Sequence, residues 1–184
     1  LDLILGFGGM ISLGHAAYLG IGAYAVGILS FYGINNAWLQ LPIAIFGSAI
    51  VAFIIGIICL RTSGIYFIMI TLAMTQLLYF LGISLETYGG DDGLPIDRSI
   101  FFEAFDLGDE INLYYLIFAF LVIMTLFSWR LINSRFGVVI RGAQENEMRM
   151  HAIGFSTFRY KLLAFTIAGS MCGLSGFLYA NLNE

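Results

Sequence analysis

His15 is the only side chain between Leu3 and Leu60 that could change charge near neutral pH. It follows Ser12-Leu13-Gly14, a pattern that interrupts an apolar run and can start a helix. A helix beginning near His15 would aim unpaired N–H groups past Gly14. Ser12, Gly14 and His15 could then hold a carboxylate, as discontinuous membrane helices do. The competing reading is close packing. Gly8 with Ser12, Ala16 with Gly20 and Ala23 with Gly27 are small residues at the four-residue spacing that lets helices approach. For His15 the competing reading is a neutral ring bonded to a backbone carbonyl. Thr71, Thr75 and Gln76 are the polar positions of a later apolar run, and Thr71 and Thr75 share a helix face. That face could line a polar cavity or bond a neighbouring helix. No Asp, Glu or second His lies in the apolar runs, so an intramembrane enzyme, proton relay or metal site has no residue set there. Asp91 and Asp92 lack calcium-loop spacing and read as a turn.

The second group lies in residues 132–161, too long for a turn. A helix is expected around Ile140–Ile153, with Ile140, Ala143, Glu147 and Met150 on one stripe and Gly154 as its stop. Such a helix could lie on the membrane with snorkelling arginines, or insert into a groove on a cytoplasmic partner. His151 would be solvated or at the partner contact.

These residues need elements to hold them, and composition decides which. The chain of 184 residues is 60% hydrophobic and only 11% charged, with mean hydropathy +0.91. A soluble domain carries about 25% charged residues, so lipid must solvate this surface. Charge-free runs of about 20 residues cross a bilayer as helices. The spans expected are 38–60, 64–83, 113–131 and 162–181, with a broken stretch over 3–32 punctuated by glycines. The fold class is therefore all-α, a polytopic transmembrane helical bundle forming one domain over 1–184. Cys59 and Cys172 sit in apolar runs and read as small hydrophobes. Gly169 with Gly173, and Gly176 with Ala180, mark the last span for close helix packing. Arg61-Thr62-Ser63 and the basic segment 130–161 lie an even number of spans apart and should share the cytoplasmic side. The acidic segment 84–112 then lies outside, where Phe101, Phe102 and Phe105 suggest a short surface helix. The chain lacks an initiator Met and starts within an apolar run, so it is expected to be incomplete at both ends.

Several blocks carry a family resemblance. They are Gly9-x-x-Ser12-Leu13-Gly14-His15-Ala16-Ala17-Tyr18, Gly20-Ile21-Gly22-Ala23-Tyr24, Arg61-x-x-Gly64-Ile65-Tyr66-Phe67, Thr71-Leu72-Ala73 with Gln76, and Thr87-x-Gly89-Gly90-x-Asp92-Gly93-Leu94. Further along come Arg135-Phe136-Gly137, Arg141, Gln144-Glu145-Asn146-Glu147, Ala152-Ile153-Gly154 and Arg159-Tyr160-Lys161-Leu162. In order, over nearly the whole chain, these resemble the bacterial branched-chain amino-acid ABC transporter permease family, in its M-type (LivM-like) subunits. Gly142 and Asp91 depart from the pattern, where Ala and Ser are more usual. The resemblance implies a multi-pass permease of the bacterial cytoplasmic (inner) membrane. Its partners would be a second permease subunit, two cytoplasmic ATP-binding subunits and an extracytoplasmic solute-binding protein, with no nucleic acid. Arg141, Ala143, Glu145, Asn146, Glu147, Ala152 and Gly154 would form the ATPase-coupling segment. The chain would be no enzyme and need no cofactor, because its Gly-Gly-Asp-Asp-Gly run lacks the P-loop Lys. A urea or short-amide permease of the same family is the alternative. An ion-coupled secondary transporter would want an acidic residue in a span.

Overall fold

In lipid an apolar run must satisfy its own backbone, and the helix does so within one segment. The computed structural model of the chain describes residues 1–90, 99–102, 105, 106 and 110–182. Its helices are α1 (Asp2–Leu5), α2 (His15–Phe31), α3 (Ala37–Cys59), α4 (Ile65–Ser84), α5 (Glu110–Ile132), α6 (Arg135–Glu145), α7 (Glu147–Ala152) and α8 (Thr157–Leu182). Four of them (α3, α4, α5 and α8) are long and apolar enough to cross a membrane, whereas α2 has 17 residues and is shorter. The protein is an all-α polytopic membrane bundle.

The core is α8 packed between α2 and α3. Glycine makes that approach possible. A Cβ on Gly169 would overlap the Ala52 side chain, one on Gly173 would overlap the Ser48 hydroxyl, and one on Gly176 would overlap the Leu19 carbonyl. Lipid tails are as apolar as the helices, so close van der Waals contact of this kind is what holds membrane helices together. Tyr18, Phe165 and Phe177 are fully buried along the seams. On α2 the small-residue reading holds for one face only. Gly22 and Ala23 meet α8, whereas nothing lies within 4 Å of a Cβ built on Gly20. Gly20 and Ala16 line a cavity instead. Helices α4 and α5 are peripheral, and α5 leaves Phe118, Leu121, Leu126 and Trp129 exposed for lipid or further helices.

At the end of the bundle that carries the acidic segment, the described residues Phe101, Phe102 and Phe105 are extended, not helical. Ile100–Phe102 and Phe105–Asp106 are short antiparallel strands, β1 and β2, with Ile100 opposite Asp106. A run rich in aromatic and β-branched residues favours the extended form. Asp91 and Asp92 lie outside the described residues. The ribbon is anchored by buried polar groups that composition did not single out. The Ser99 N–H donates to Asn181 Oδ1 at 2.8 Å, and its hydroxyl donates to Gln40 Oε1. Gln40 Nε2 donates to the Ile34 carbonyl at 2.8 Å, and Asn181 Nδ2 to the Phe177 carbonyl at 2.9 Å. Each buried amide thus makes the bonds that justify its burial.

Candidate functional site

The broken stretch places its helix start against α4. Gly14 is the residue before α2, and the Ser12 hydroxyl accepts the Gly14 N–H at 3.2 Å rather than capping the first turn. A Cβ on Gly14 would stand 3.4 Å from the Thr71 carbonyl oxygen, 3.4 Å from Thr75 Oγ1 and 3.5 Å from Ser12 Oγ. Ser12, Gly14, Thr71 and Thr75 are therefore brought together. The Thr71 hydroxyl donates to the Ile68 carbonyl and the Thr75 hydroxyl to the Thr71 carbonyl, both at 2.9 Å. Their protons are committed to α4, so towards the break these hydroxyl oxygens can only accept. Gln76 is not part of the group. It follows Thr75 by one residue, about 100° further round the helix, and is exposed.

His15 is buried but has no carbonyl partner. Its ring meets Tyr18 and Phe165 edge-on, with centroids 5.6 and 5.7 Å away. Both His15 ring nitrogens and the Tyr18 hydroxyl are buried without a hydrogen bond. Aromatic contact, not a backbone bond, holds this histidine. Beside the helix start, a cavity of about 620 Å³ runs between α2 and α4. Ala16, Ala17, Gly20, Tyr24, Thr75 and Tyr79 contribute to its walls.

The segment after α5 differs from the single helix expected. It breaks at Asn146, whose backbone is extended (φ −156°, ψ 98°) and whose side chain accepts the Arg149 N–H at 2.9 Å. Asn competes for backbone partners inside helices and serves better as a cap, which starts α7 here. The stripe is interrupted as a result. Ile140 and Ala143 remain buried, but Glu147 turns away. Met150 folds back over Gly142, where a Cβ would lie 2.8 Å from its sulfur. Gly154 ends α7 at φ 97°, with its N–H on the His151 carbonyl.

Two of the residues expected to reach a partner are engaged within the chain. Arg141 Nη2 donates to the Ile132 carbonyl at 3.2 Å, at the C-terminus of α5 where a cation is favoured. Glu147 pairs with Lys161 Nζ at 2.8 Å and accepts the Thr157 hydroxyl at 2.9 Å. That hydroxyl has one proton, so His151 Nε2, 2.8 Å from it, must be the donor in their bond. These contacts latch α7 to the start of α8. Arg141, Gln144, Glu147 and His151 are exposed as well as bonded or packed within the chain, and Glu145, Asn146, Met148, Arg149, Ala152, Ile153 and Gly154 are exposed beside them. Met148 is 84% and Ile153 65% exposed. Their signal in the sequence was an apolar side chain lying off the buried stripe.

Partial burial pushes the Glu147 carboxyl up, but Lys161, Thr157 and His151 outweigh it and hold the group below the usual carboxylate range. A depressed carboxylate stabilises above its unfolded pKa of about 4.3 and loses that contribution as pH falls through its folded value. Acidification below about pH 4 is therefore expected to loosen α7, by no more than about 1 kcal/mol for so exposed a pair. Amide exchange of residues 147–154 against pH reads this out. Glu147→Gln should remove the acid step, and an unchanged step would refute the latch.

A second cavity, of about 420 Å³, lies where Gly9, Thr62, Gly64, Gln144, Glu147 and Lys161 come together. The link after α3 and the basic segment thus occupy the same end of the bundle, as the charge pattern requires.

The bundle thus holds a broken helix start against α4 and a two-helix unit at one end. The chain belongs to the family described as branched-chain amino acid transport system / permease component, whose family model matches residues 1–183. It is 29% identical over 204 residues to the high-affinity branched-chain amino acid transport system permease protein LivM of Salmonella typhimurium, covering 98% of this chain and 48% of that protein. The protein of the same name from Escherichia coli matches to the same extent. The probable branched-chain amino acid transport permease protein LivM of Methanocaldococcus jannaschii is 26% identical over 217 residues, covering 98% of this chain and 62% of that protein. The chain spans about half the length of the first two relatives. No solved structure matches it.

Proposed function

We propose that the chain forms part of the translocation path of an ATP-driven importer for branched-chain or related amino acids in the bacterial inner membrane. A second permease subunit would cover the exposed apolar faces of α4 and α5. Two ATP-binding subunits would dock at the α6–α7 end, and an extracytoplasmic solute-binding protein at the other. The observation that carries this reading is the α6–α7 unit. It is seated on the bundle by Ile140 and Ala143, yet turns Met148 and Ile153 outward where none of the described residues covers them.

The break suits an amino acid. The positive end of the α2 dipole favours a carboxylate, and the acceptor oxygens of Thr71 and Thr75 favour an ammonium group. The mostly apolar cavity along Gly20 and Tyr24 fits an aliphatic side chain better than it fits urea.

The test is co-purification of the full-length protein with its ATPase, comparing wild type with Met148→Asp plus Ile153→Asp. Neither side chain is buried, so the fold should persist as a single species in detergent. Loss of the ATPase with the fold intact is the expected result. Equal retention by both forms would refute α7 as the docking site. A wild type that holds no ATPase would refute the importer reading and turn attention to an ion-coupled secondary transporter.

A further inference from the structure

The α6–α7 unit touches the broken helix at one defined joint. Gly9 has φ 63°, a left-handed conformation that glycine adopts without strain. A Cβ built on it would lie 2.7 Å from Gln144 Cγ and 3.3 Å from Gln144 Cδ. The stem of Gln144 thus sits directly on the Gly9 backbone. Around this contact, Ile140 of α6 shares one buried cluster with Leu3, Ile4 and Met10. From Gly9 the chain continues without slack to the helix start. The Met10 N–H donates to the Ile4 carbonyl at 2.9 Å, the Ser12 hydroxyl accepts the Gly14 N–H, and Gly14 abuts Thr71 and Thr75.

We propose that Gln144 is a positioning residue for transport: its stem, seated on Gly9, carries displacement of the α6–α7 unit to the start of α2 and so to the Gly14–Thr71–Thr75 group. The inference rests on the coupling role assigned above to α6–α7, and it adds the route. Ile140 presses on Leu3, Ile4 and Met10 in the same cluster, and the Gln144 stem adds the contact at Gly9, nearer the helix start; the other route for movement of α6 is rocking of α5 and α8 as whole helices. α5 makes little contact with the core, so it is a poor lever. A packed contact between backbone and a short stem is stiff, and such contacts shift between discrete arrangements rather than deforming smoothly.

The assembled transporter is reconstituted in lipid vesicles with its ATPase, its second permease and its binding protein, and amino-acid uptake is measured per ATP hydrolysed. Gln144→Ala removes the stem and is expected to lower that ratio by about 2- to 30-fold, with ATPase retention and basal hydrolysis unchanged. Gln144→Met keeps Cγ in place and should preserve the ratio. A cysteine pair adds a rescue, in a background with Cys59→Ala and Cys172→Ala. One bond back from Cγ, the two Cβ positions lie within about 4.2 Å, inside the disulfide window of about 3.5–4.5 Å. Gly9→Cys with Gln144→Cys should couple poorly when reduced and recover when oxidised, because the covalent bridge replaces the lost contact. A Gln144→Ala transporter with the wild-type ratio overturns the proposal, as does an oxidised pair no better coupled than the reduced one. Failure of the wild-type chain to hold its ATPase is a separate result, which overturns the coupling role of α6–α7 itself.

Discussion

Gly22→Val is expected to abolish the folded bundle, whereas Gly20→Ala, two residues earlier on the same helix, is expected to be tolerated. A Cβ on Gly22 would fall inside the contact distance of the Gly173 carbonyl, carbonyl carbon and Cα. Backbone cannot rotate out of the way as a side chain can, so α2 and α8 would have to separate. Gly173 is itself wedged against Ser48 of α3, so the displacement would reach the third helix of the core. Overpacking usually costs about 1–3 kcal/mol, and here the clash is with main chain at the central seam, which places it at or above that range. Gly20 faces open space, and alanine there gains helix propensity of up to about 1 kcal/mol. Thermal aggregation in detergent, followed by size-exclusion chromatography, separates the two outcomes. A stable, monodisperse Gly22→Val protein would mean that α2 does not pack on α8 as described.

Gly137→Val is expected to leave the spans folded while impairing the transport proposed above. The elbow between α5 and α6 is made by Asn133 and Ser134 alone, and the Ser134 hydroxyl donates to the Leu131 carbonyl at 2.6 Å. A Cβ on Gly137 would overlap the carbonyl of Ile132, the last residue of α5. The same carbonyl accepts the Arg141 guanidinium. A side chain at Gly137 would therefore open the elbow and detach Arg141 together, and the shift would grow along α6 and α7. The damage lies outside the α2–α3–α8 core, so the protein should still purify as a folded species. Uptake should fall by about tenfold or more, the factor that about 1.4 kcal/mol represents. Arg141→Met should have a milder effect, because it removes the bond without the clash. Normal uptake by Gly137→Val would show that the angle of this elbow does not matter to transport.

Much of this was legible along the chain, for reasons local to it. Charge-free runs of helical length can be nothing but membrane helices once water is unable to solvate them. The glycine spacing on α8 marked the seam it forms, and Gly154 after a polar helix marked its end. The position of Arg61 relative to the basic segment placed both at one end of the bundle. Each of these depends on composition, on spacing within one helix, or on counting spans.

The departures share a different origin. Asn146 was read as one position on a helix, yet it caps a new one. Glu147 and Arg141 were read as part of a partner-coupling segment, and contacts that spacing did not show, to Lys161, Thr157 and the Ile132 carbonyl, also engage them within the chain. Ser99 finds Gln40 and Asn181, and Gln144 finds Gly9, far along the sequence. Ala16 with Gly20 and Ala23 with Gly27 have the same spacing, but only one of the two pairs carries a residue on the seam with α8. The amino-acid sequence by itself determined that this protein is a bundle of membrane-spanning helices, because solvation and helix periodicity act residue by residue along the chain. Only the tertiary structure decided which small residue faces a helix and which a cavity, and which charge is satisfied at home, because those outcomes depend on groups distant in sequence that folding alone brings within bonding distance.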